Sequence, residues 1–285
     1  MLNLNKVEYM GYLGPKGTFS HCAADIYRQE YGIKLKSCNS FIQLIEAVSQ
    51  EKIDTAIMPV ENSIEGTVGV VLDLLSSYTT VNIISELILP IKHQLLARSN
   101  TQLNKVTCVI SHAQAIGQCR SWLNKNLPHA EIIETSSTAV AAKKVSKISE
   151  NWAAIGTVMS KKIYNLVCLA ENINDYLNNT TRFLIISTRP PVFNNRKNHK
   201  TTIEFTLLHE PGSLYEVLGE FAKRKVNLTR IESRPAKTEL GQYRFFIDFI
   251  GHYDEQPIKE LLDTLNNKVS TLRILGSYPS AVYKV

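Results

Sequence analysis

Segments typical of strands and helices alternate along the chain up to about residue 187, and this alternation limits the possible folds more than any other feature. Short apolar runs such as 53–58 and 106–111 have the length of buried strands. Amphipathic segments lie between them, among them Phe41 to Gln50, which Ser40 can cap, and the longer stretch 113–127. The pattern predicts parallel or mixed sheets covered by helices, and two such units in succession predict two lobes with a cleft.

The pattern changes after residue 188. Residues 189–200 contain two adjacent prolines and several basic and amide side chains but almost no apolar ones, which is typical of a linker. From residue 201 to 285 the order is strand, helix, strand, strand, helix, strand, which is the ferredoxin-like arrangement. We therefore expect a two-lobed α/β domain at 1–188, a linker at 189–200 and a smaller α/β domain at 201–285.

Composition favours an ordinary globular chain. Of the 285 residues, 44% are hydrophobic and 20% are charged, and no apolar run approaches the roughly 18 residues that cross a membrane. The start lacks the pattern of a signal peptide, so a cytoplasmic location without a membrane partner is expected. The five cysteines are scattered, which predicts neither a disulfide framework nor a zinc site. The net charge of +6 is dispersed, which fits a small multivalent anion better than nucleic acid.

A cluster of functional side chains stands at the start of one apolar strand. Thr181, Arg182 and Phe183 follow Asn179 and Thr180, and together they place a hydroxyl, a guanidinium and an aromatic ring at one sheet edge. Open α/β folds bind their ligands at such edges, and this set suits a small anionic ring compound. Taken alone, the cluster is better explained as a strand start with solvated side chains. The hypothesis of a binding site therefore depends on similar segments elsewhere in the chain.

Two loops of the first predicted lobe also lead from a strand into a helix. The loop 14–20, which contains Thr18, has glycines that would let backbone N–H groups approach an anion, although a tight turn is the simpler interpretation. The loop 59–67 offers Glu61, Asn62 and Ser63 at one edge. Helix capping is the alternative interpretation of its hydroxyl groups.

The second predicted lobe repeats this arrangement. Ser111 ends a strand and Gln118 lies on the helix that follows, so both side chains could face the cleft, with capping and solvation as the alternative. Ser137 and Thr138 open the next helix as anion donors or as caps. His93 is interpreted as a hydrogen-bonded core residue. The absence of a Gly-x-Ser-x-Gly elbow, a His-x-x-x-His pair and a dinucleotide fingerprint argues against a hydrolase, a metalloenzyme and a dehydrogenase.

In this order the segments resemble the prephenate dehydratase family over essentially the whole chain. The similarity rests on the loops 14–20 and 59–67, on Ser111-His112-x-Gln114, and on the segments 137–139 and 179–183. Residues 211–214 and 232–235 are similar to the ACT regulatory module of that family. The resemblance implies a periplasmic-binding-protein-like pair of lobes and the conversion of prephenate to phenylpyruvate, carbon dioxide and water without metal or cofactor. Because the first motif begins near residue 11, we expect the monofunctional form.

The resemblance also implies residue roles. Thr181 is expected near the departing oxygen, Glu61 as the proton source if burial raises its pKa, and Arg182 as the bidentate partner of a substrate carboxylate. The other expected substrate contacts are Thr18, Asn62, Ser63, Ser111, Gln118, Ser137, Thr138 and Phe183.

For the ACT module the resemblance implies that phenylalanine binds between two such domains of a homodimer or homotetramer and inhibits the enzyme. The alternative is a domain that only dimerises. Two rival functions stay open, an arogenate dehydratase and a non-catalytic bilobed amino-acid sensor. The expected phenylalanine contacts are Gly212, Ser213, Leu214, Asn227, Glu232 and Ser233.

Overall fold

The computed structural model describes residues 7–148, 150–189, 198–208, 210–237 and 241–281. Three sheets organise them, two in the first part of the chain and one in the last, as the alternation of segments predicts. Residues 190–197 of the predicted linker lie outside the described residues, and the third sheet already begins at His199. Within the described ranges, no helix is long and apolar enough to cross a membrane.

The first lobe is built on a mixed sheet with the strand order β2-β1-β3-β11-β5, and the short β4 pairs with β3. β11 is antiparallel to both of its neighbours, because the chain returns from the second lobe to complete this sheet. The polar run Lys34–Cys38 forms a strand that the apolar pattern did not predict. The elements are β1 Tyr9–Leu13, α1 Phe19–Tyr31, β2 Lys34–Cys38, α2 Phe41–Ser49, β3 Thr55–Asn62, β4 Gly66–Thr67, α3 Gly69–Ser77, β5 Asn82–Pro90 and β11 Thr180–Ser187.

The two faces of this sheet have different partners. On one face Phe183 and Ile185 pack in a core with α1. On the other face Leu184 and Ile186 pack in a core with α2, α3 and side chains of the C-terminal domain. Successive residues of β11 therefore point alternately to α1 and to the C-terminal domain.

The second lobe is built on a sheet with the order β10-β6-β9-β7-β8. The predicted single helix at 113–127 is wrong, because the chain forms two short helices around Gln118 and Cys119. The carboxylate of Asp175 accepts hydrogen bonds from the first N–H groups of the second helix, which gives it a separate start. The elements are β6 Gln94–Ala97, β7 Cys108–Ser111, α4 Ala113–Gly117, α5 Arg120–Asn126, β8 Glu131–Glu134, α6 Thr138–Val145, β9 Trp152–Gly156, α7 Val158–Ile163 and β10 Val167–Ala170.

The C-terminal domain has the predicted ferredoxin-like order of elements. Its antiparallel sheet runs β13-β14-β12-β15. The strand β15 packs against β5 of the first lobe so closely that a Cβ added at Gly276 would lie 2.1 Å from the carbonyl oxygen of Ile83. The domain is therefore seated directly on the first lobe. Its elements are β12 His199–Thr206, α8 Ser213–Lys223, β13 Leu228–Pro235, β14 Tyr243–Ile250, α9 Gln256–Asn266 and β15 Thr271–Pro279.

Candidate active site

A cavity of about 460 Å³ lies between the two lobes. The first lobe contributes the ends of β1 and β3, the start of α1 and one face of β11, and the second lobe contributes the start of β6 and of two helices. The convergence that the sequence predicts is therefore present. The predicted residues that line the cavity are Thr18, Asn62, Gln118, Ser137, Thr138, Thr181 and Phe183.

An irregularity in β3 decides which side chains of that strand face the cavity. Thr181 pairs with Asn62 and Arg182 with Glu61, but Phe183 then pairs with Pro59, so one residue of β3 is inserted. Such a bulge puts two successive residues on the same face, and proline is tolerated at these positions. Asn62 and Pro59 consequently both line the cavity, whereas Glu61 points to the opposite face.

The side chain of Asn62 is held in one orientation. Its Oδ1 accepts hydrogen bonds from the backbone N–H groups of Ile64 and Glu65, both at 3.0 Å. Its Nδ2 must then be the donor, and it donates to Thr181 Oγ1 at 2.9 Å. Because this bond uses a lone pair of the Thr181 hydroxyl, the hydroxyl proton stays available to a group in the cavity.

The hydrogen-bond network continues from Asn62 into the second lobe. Asn62 Nδ2 also donates to Asn179 Oδ1 at 2.8 Å, and Asn179 Nδ2 donates to Gln118 Oε1 at 2.8 Å. Gln118 Nε2 donates to a carboxylate oxygen of Glu65 at 3.1 Å, which fixes the orientation of this amide as well. The motif at 179–183 contained Asn179, but nothing in the sequence indicated that it joins the lobes.

His93 ends this network. Its Nε2 lies 3.1 Å from Gln118 Oε1, and because that oxygen can only accept, the proton is on Nε2. Burial lowers the pKa of His93 and outweighs the hydrogen bond to Gln118, which raises it. The neutral ring lines the cavity and contacts Phe19 edge to face, so His93 is part of the site as well as buried.

The glycine loop at 14–20 holds the two lobes together. The carbonyl oxygen of Gly17 accepts hydrogen bonds from the hydroxyls of Thr157 and Ser160 at 2.7 and 2.9 Å. Its N–H donates to His21 Nδ1 at 3.1 Å. Thr18 caps α1 and lines the cavity. Gly17, whose φ is +99°, therefore lies in a tight turn, which is the simpler of the two interpretations of this loop.

In the second lobe the start of α6 faces the cavity. Ser137 accepts a hydrogen bond from the N–H of Val140 and so caps this helix, and both Ser137 and Thr138 line the cavity. Ser111 is placed elsewhere, since its fully buried hydroxyl donates to the carbonyl oxygen of Ile155 at 2.9 Å. Ser111 therefore stabilises the sheet. It does not line the cavity, so the expectation that it contacts the substrate is corrected.

Ser63, Glu61 and Arg182 also lie outside the cavity lining. The hydroxyl of Ser63 donates to the backbone of Asn178 at 3.2 Å, in the turn that follows β3. The carboxylate of Glu61 is 41% exposed and lies 3.6 Å from Arg182 Nη1. The burial that was the condition for Glu61 as a proton source is therefore not present.

Arg182 is turned away from the cavity because strand residues alternate in direction. Its side chain is 10% exposed and contacts Glu86, Asp248 and Tyr278. The expectation that Arg182 binds a substrate carboxylate bidentately is therefore corrected. The guanidinium lies on the side of β11 away from the cavity, and its N–H groups already donate to protein side chains.

The C-terminal domain has a second cavity, of about 370 Å³, at the start of α8. Gly212, Ser213 and Leu214 line it together with residues of the β13–β14 turn. The other expected phenylalanine contacts lie elsewhere in the chain. Glu232 accepts a hydrogen bond from Thr67 of the first lobe at 2.7 Å, and Asn227 and Ser233 are likewise outside the lining.

These features define a class of protein with two α/β lobes, a cavity between them and a C-terminal ferredoxin-like domain. Residues 10–191 match the family model described as prephenate dehydratase, and residues 201–267 match the ACT domain model. The chain belongs to the prephenate dehydratase family.

Individual relatives agree with this assignment. The prephenate dehydratase of Methanocaldococcus jannaschii is 40% identical over 273 residues, which cover 94% of this chain and 97% of that protein. The structure of prephenate dehydratase from Arthrobacter aurescens in complex with L-Phe has a TM-score of 0.87 at 34% identity, covering 97% of this chain and 93% of the other. A solved structure titled as GqqA, a novel type of quorum quenching acylase, has a TM-score of 0.86 at 28% identity and covers 96% of this chain and 98% of its own.

Proposed function

We propose that this chain converts prephenate to phenylpyruvate, carbon dioxide and water. The observation that carries the proposal is the Thr181 hydroxyl, which Asn62 holds at the wall of the interlobe cavity with its proton available. Family membership supports the same reaction.

The reaction needs orientation and hydrogen bonding more than strong acid–base chemistry. Prephenate has a ring carboxylate, a pyruvyl carboxylate and a ring hydroxyl, and loss of carbon dioxide and hydroxide makes the ring aromatic. The Thr181 hydroxyl would donate to the departing oxygen. The hydroxyls of Ser137 and Thr138, at the positive end of α6, are suited to a carboxylate. Phe183 provides an apolar contact for the ring.

Product analysis with two substrates tests this proposal. The full chain is incubated with prephenate and, separately, with arogenate, and phenylpyruvate and phenylalanine are quantified. We expect phenylpyruvate from prephenate, and Thr181→Ala should abolish it while Thr181→Ser, which keeps a hydroxyl, should retain part of it. Phenylalanine from arogenate alone would favour the rival dehydratase, and no product from either would favour a sensor. Near-normal turnover by a folded Thr181→Ala variant would remove Thr181 from the mechanism.

We also propose that phenylalanine inhibits the enzyme through the ACT domain of a homodimer or homotetramer. The cavity beside Gly212 to Leu214 offers the start of α8 to a carboxylate. The strand β13 is at the edge of its sheet within this chain, so it can meet a second copy, which would bring Asn227 and Ser233 near another subunit. Light scattering with and without phenylalanine, beside a binding titration, tests both parts. A monomer that does not bind phenylalanine would contradict them. We also propose that the protein is located in the cytoplasm.

A further inference from the structure

A buried cluster of charged side chains connects the strand that carries Thr181 to the C-terminal domain. Arg182 Nε donates to Glu86 at 2.6 Å, Nη1 donates to Asp248 at 2.5 Å and Nη2 donates to the Tyr278 hydroxyl at 3.0 Å. Glu86 belongs to β5 of the first lobe, whereas Asp248 and Tyr278 belong to β14 and β15 of the C-terminal sheet. The guanidinium of Arg182 therefore spans the contact between the two domains.

The partners of Arg182 are themselves held in place. Asp248 is 1% exposed and its second oxygen accepts a hydrogen bond from Thr202 at 2.6 Å. Glu86 accepts a further hydrogen bond from Lys200 Nζ at 2.8 Å. Burial alone would raise the pKa of Asp248, but the positive charge of Arg182 and of Arg230 lowers it below its usual value. The cluster thus joins Arg182 and Lys200 to the side chains of Glu86 and Asp248, and the carboxylate of Glu61 lies 3.6 Å from Arg182 Nη1.

Two arginines of the C-terminal domain contact α3 of the first lobe instead of β11. Arg273 donates to four backbone carbonyl oxygens at and after the end of α3, and Arg234 donates to Asp73 in the middle of that helix. These contacts fix the position of α3. The Arg182 contact differs because it is made by β11, one residue from Thr181.

If the C-terminal sheet shifts, either Arg182 moves with it or the buried carboxylate of Asp248 loses its ion pair with Arg182, which is costly. Moving Arg182 would displace the adjacent Thr181 relative to Asn62. From this geometry we infer that Asp248 of the C-terminal domain is a positioning residue for Thr181, and that it acts through Arg182. The inference depends on the proposed function for its kinetic test, but not for its structural one.

Two matched substitutions test the inference. Asp248→Asn removes the charge opposite Arg182 with little change in shape, and Asp73→Asn removes the charge opposite Arg234 at the same domain contact. We expect Asp248→Asn to lower kcat for prephenate about tenfold with KM nearly unchanged, within the range for residues that act through others. Asp73→Asn should leave kcat unchanged. Equal effects of the two variants on kcat would overturn the inference.

Hydrogen exchange separates this inference from the proposed function. In the full-length protein, Asp248→Asn should speed the exchange of amides at 180–183 by several-fold, and Asp73→Asn should leave them as in the wild type. If the wild type forms no phenylpyruvate, the proposed function fails while the exchange result still supports or overturns the inference. Should Asp248→Asn unfold, Tyr278→Phe, which removes a single hydroxyl from the Arg182 partners, takes its place in both measurements. Unchanged exchange at 180–183 in a folded variant would contradict the inference.

Discussion

Replacing Asn62 by aspartate tests whether the Thr181 proton must point into the cavity. The two N–H groups of Asn62 Nδ2 are shared among three acceptors, Asn179 Oδ1 at 2.8 Å, Thr181 Oγ1 at 2.9 Å and the Thr180 carbonyl oxygen at 3.1 Å. Asn62→Asp keeps the shape of the side chain and the two backbone hydrogen bonds to Oδ1. It replaces the Nδ2 donor opposite Thr181 by a carboxylate oxygen, which can only accept. The Thr181 hydroxyl should therefore turn and donate to the new carboxylate.

The size of the effect follows from which interaction is lost. A hydrogen-bond donor held towards charge that develops in the transition state contributes about 10²–10³ in kcat, so Asn62→Asp should lower kcat at least about 100-fold. Asn62→Ala removes the neighbour but leaves the Thr181 proton free. It should cost the equivalent of one ordinary hydrogen bond, about 0.5–1.5 kcal/mol, or about 2- to 13-fold. The isosteric change is thus expected to be more harmful than the truncation.

The assay is the rate of phenylpyruvate formation at saturating prephenate, with circular dichroism and thermal unfolding as controls for folding. The kcat of Asn62→Asp should rise as the pH is lowered, because protonation of the introduced carboxyl restores a donor opposite Thr181. The reasoning is refuted if folded Asn62→Asp keeps wild-type kcat, or if Asn62→Ala is the more damaged of the two.

Three further predictions concern the contact between the lobes, the contact between the domains and a group of ion pairs within the C-terminal domain. Gly17→Ala should destabilise the chain in urea unfolding, because alanine strains a φ of +99° by about 1–3 kcal/mol and its Cβ would lie 2.6 Å from a buried hydroxyl. Gly32→Ala, with a φ of +70° and no atom within 4 Å, should show only the strain, so equal losses would contradict the interlobe role. Gly276→Ala should displace the C-terminal domain, because its Cβ would lie 2.1 Å from the Ile83 carbonyl oxygen; unchanged amide protection in β5 and β15 would argue against this. Hydrogen bonds from nearby basic side chains lower the pKa of Glu220 from 4.5 to about 2, so its stabilisation is present above about pH 4.5 and is lost as the pH falls through about 2. The difference in melting temperature between wild type and Glu220→Gln should therefore be present near pH 6 and vanish near pH 2, and a constant difference would speak against the prediction.

The order of helices and strands was predictable because the spacing of apolar residues differs between helices and buried strands. That local pattern predicted the two-lobed α/β part and the ferredoxin-like domain, and both are confirmed. It could not indicate that β11 returns to the first lobe, since a buried strand has the same composition in either sheet. It also did not predict β2, whose residues Lys34–Cys38 are largely exposed along one edge of the sheet.

The segments around the cavity were predicted more accurately than the directions of their side chains. The bulge in β3 puts Asn62 in the cavity and Glu61 outside it, and no residue in the motif marks an inserted position apart from Pro59. Likewise Ser111 has the position expected of a ligand contact, but its hydroxyl is used within the second sheet. Side-chain direction depends on strand pairing, which comes from distant parts of the chain.

The alternation of β11 puts neighbouring residues of the 179–183 motif on opposite faces of the strand. Thr181 and Phe183 face the cavity, and Arg182 between them faces the C-terminal domain. A strand cannot shift one of these residues without the next, because they are consecutive in one extended backbone. A displacement of the C-terminal sheet that is too small to close the cavity could therefore still change the distance between Thr181 and Asn62. Inhibition by this route would lower kcat before it weakens substrate binding, whereas inhibition by lobe movement would change KM first.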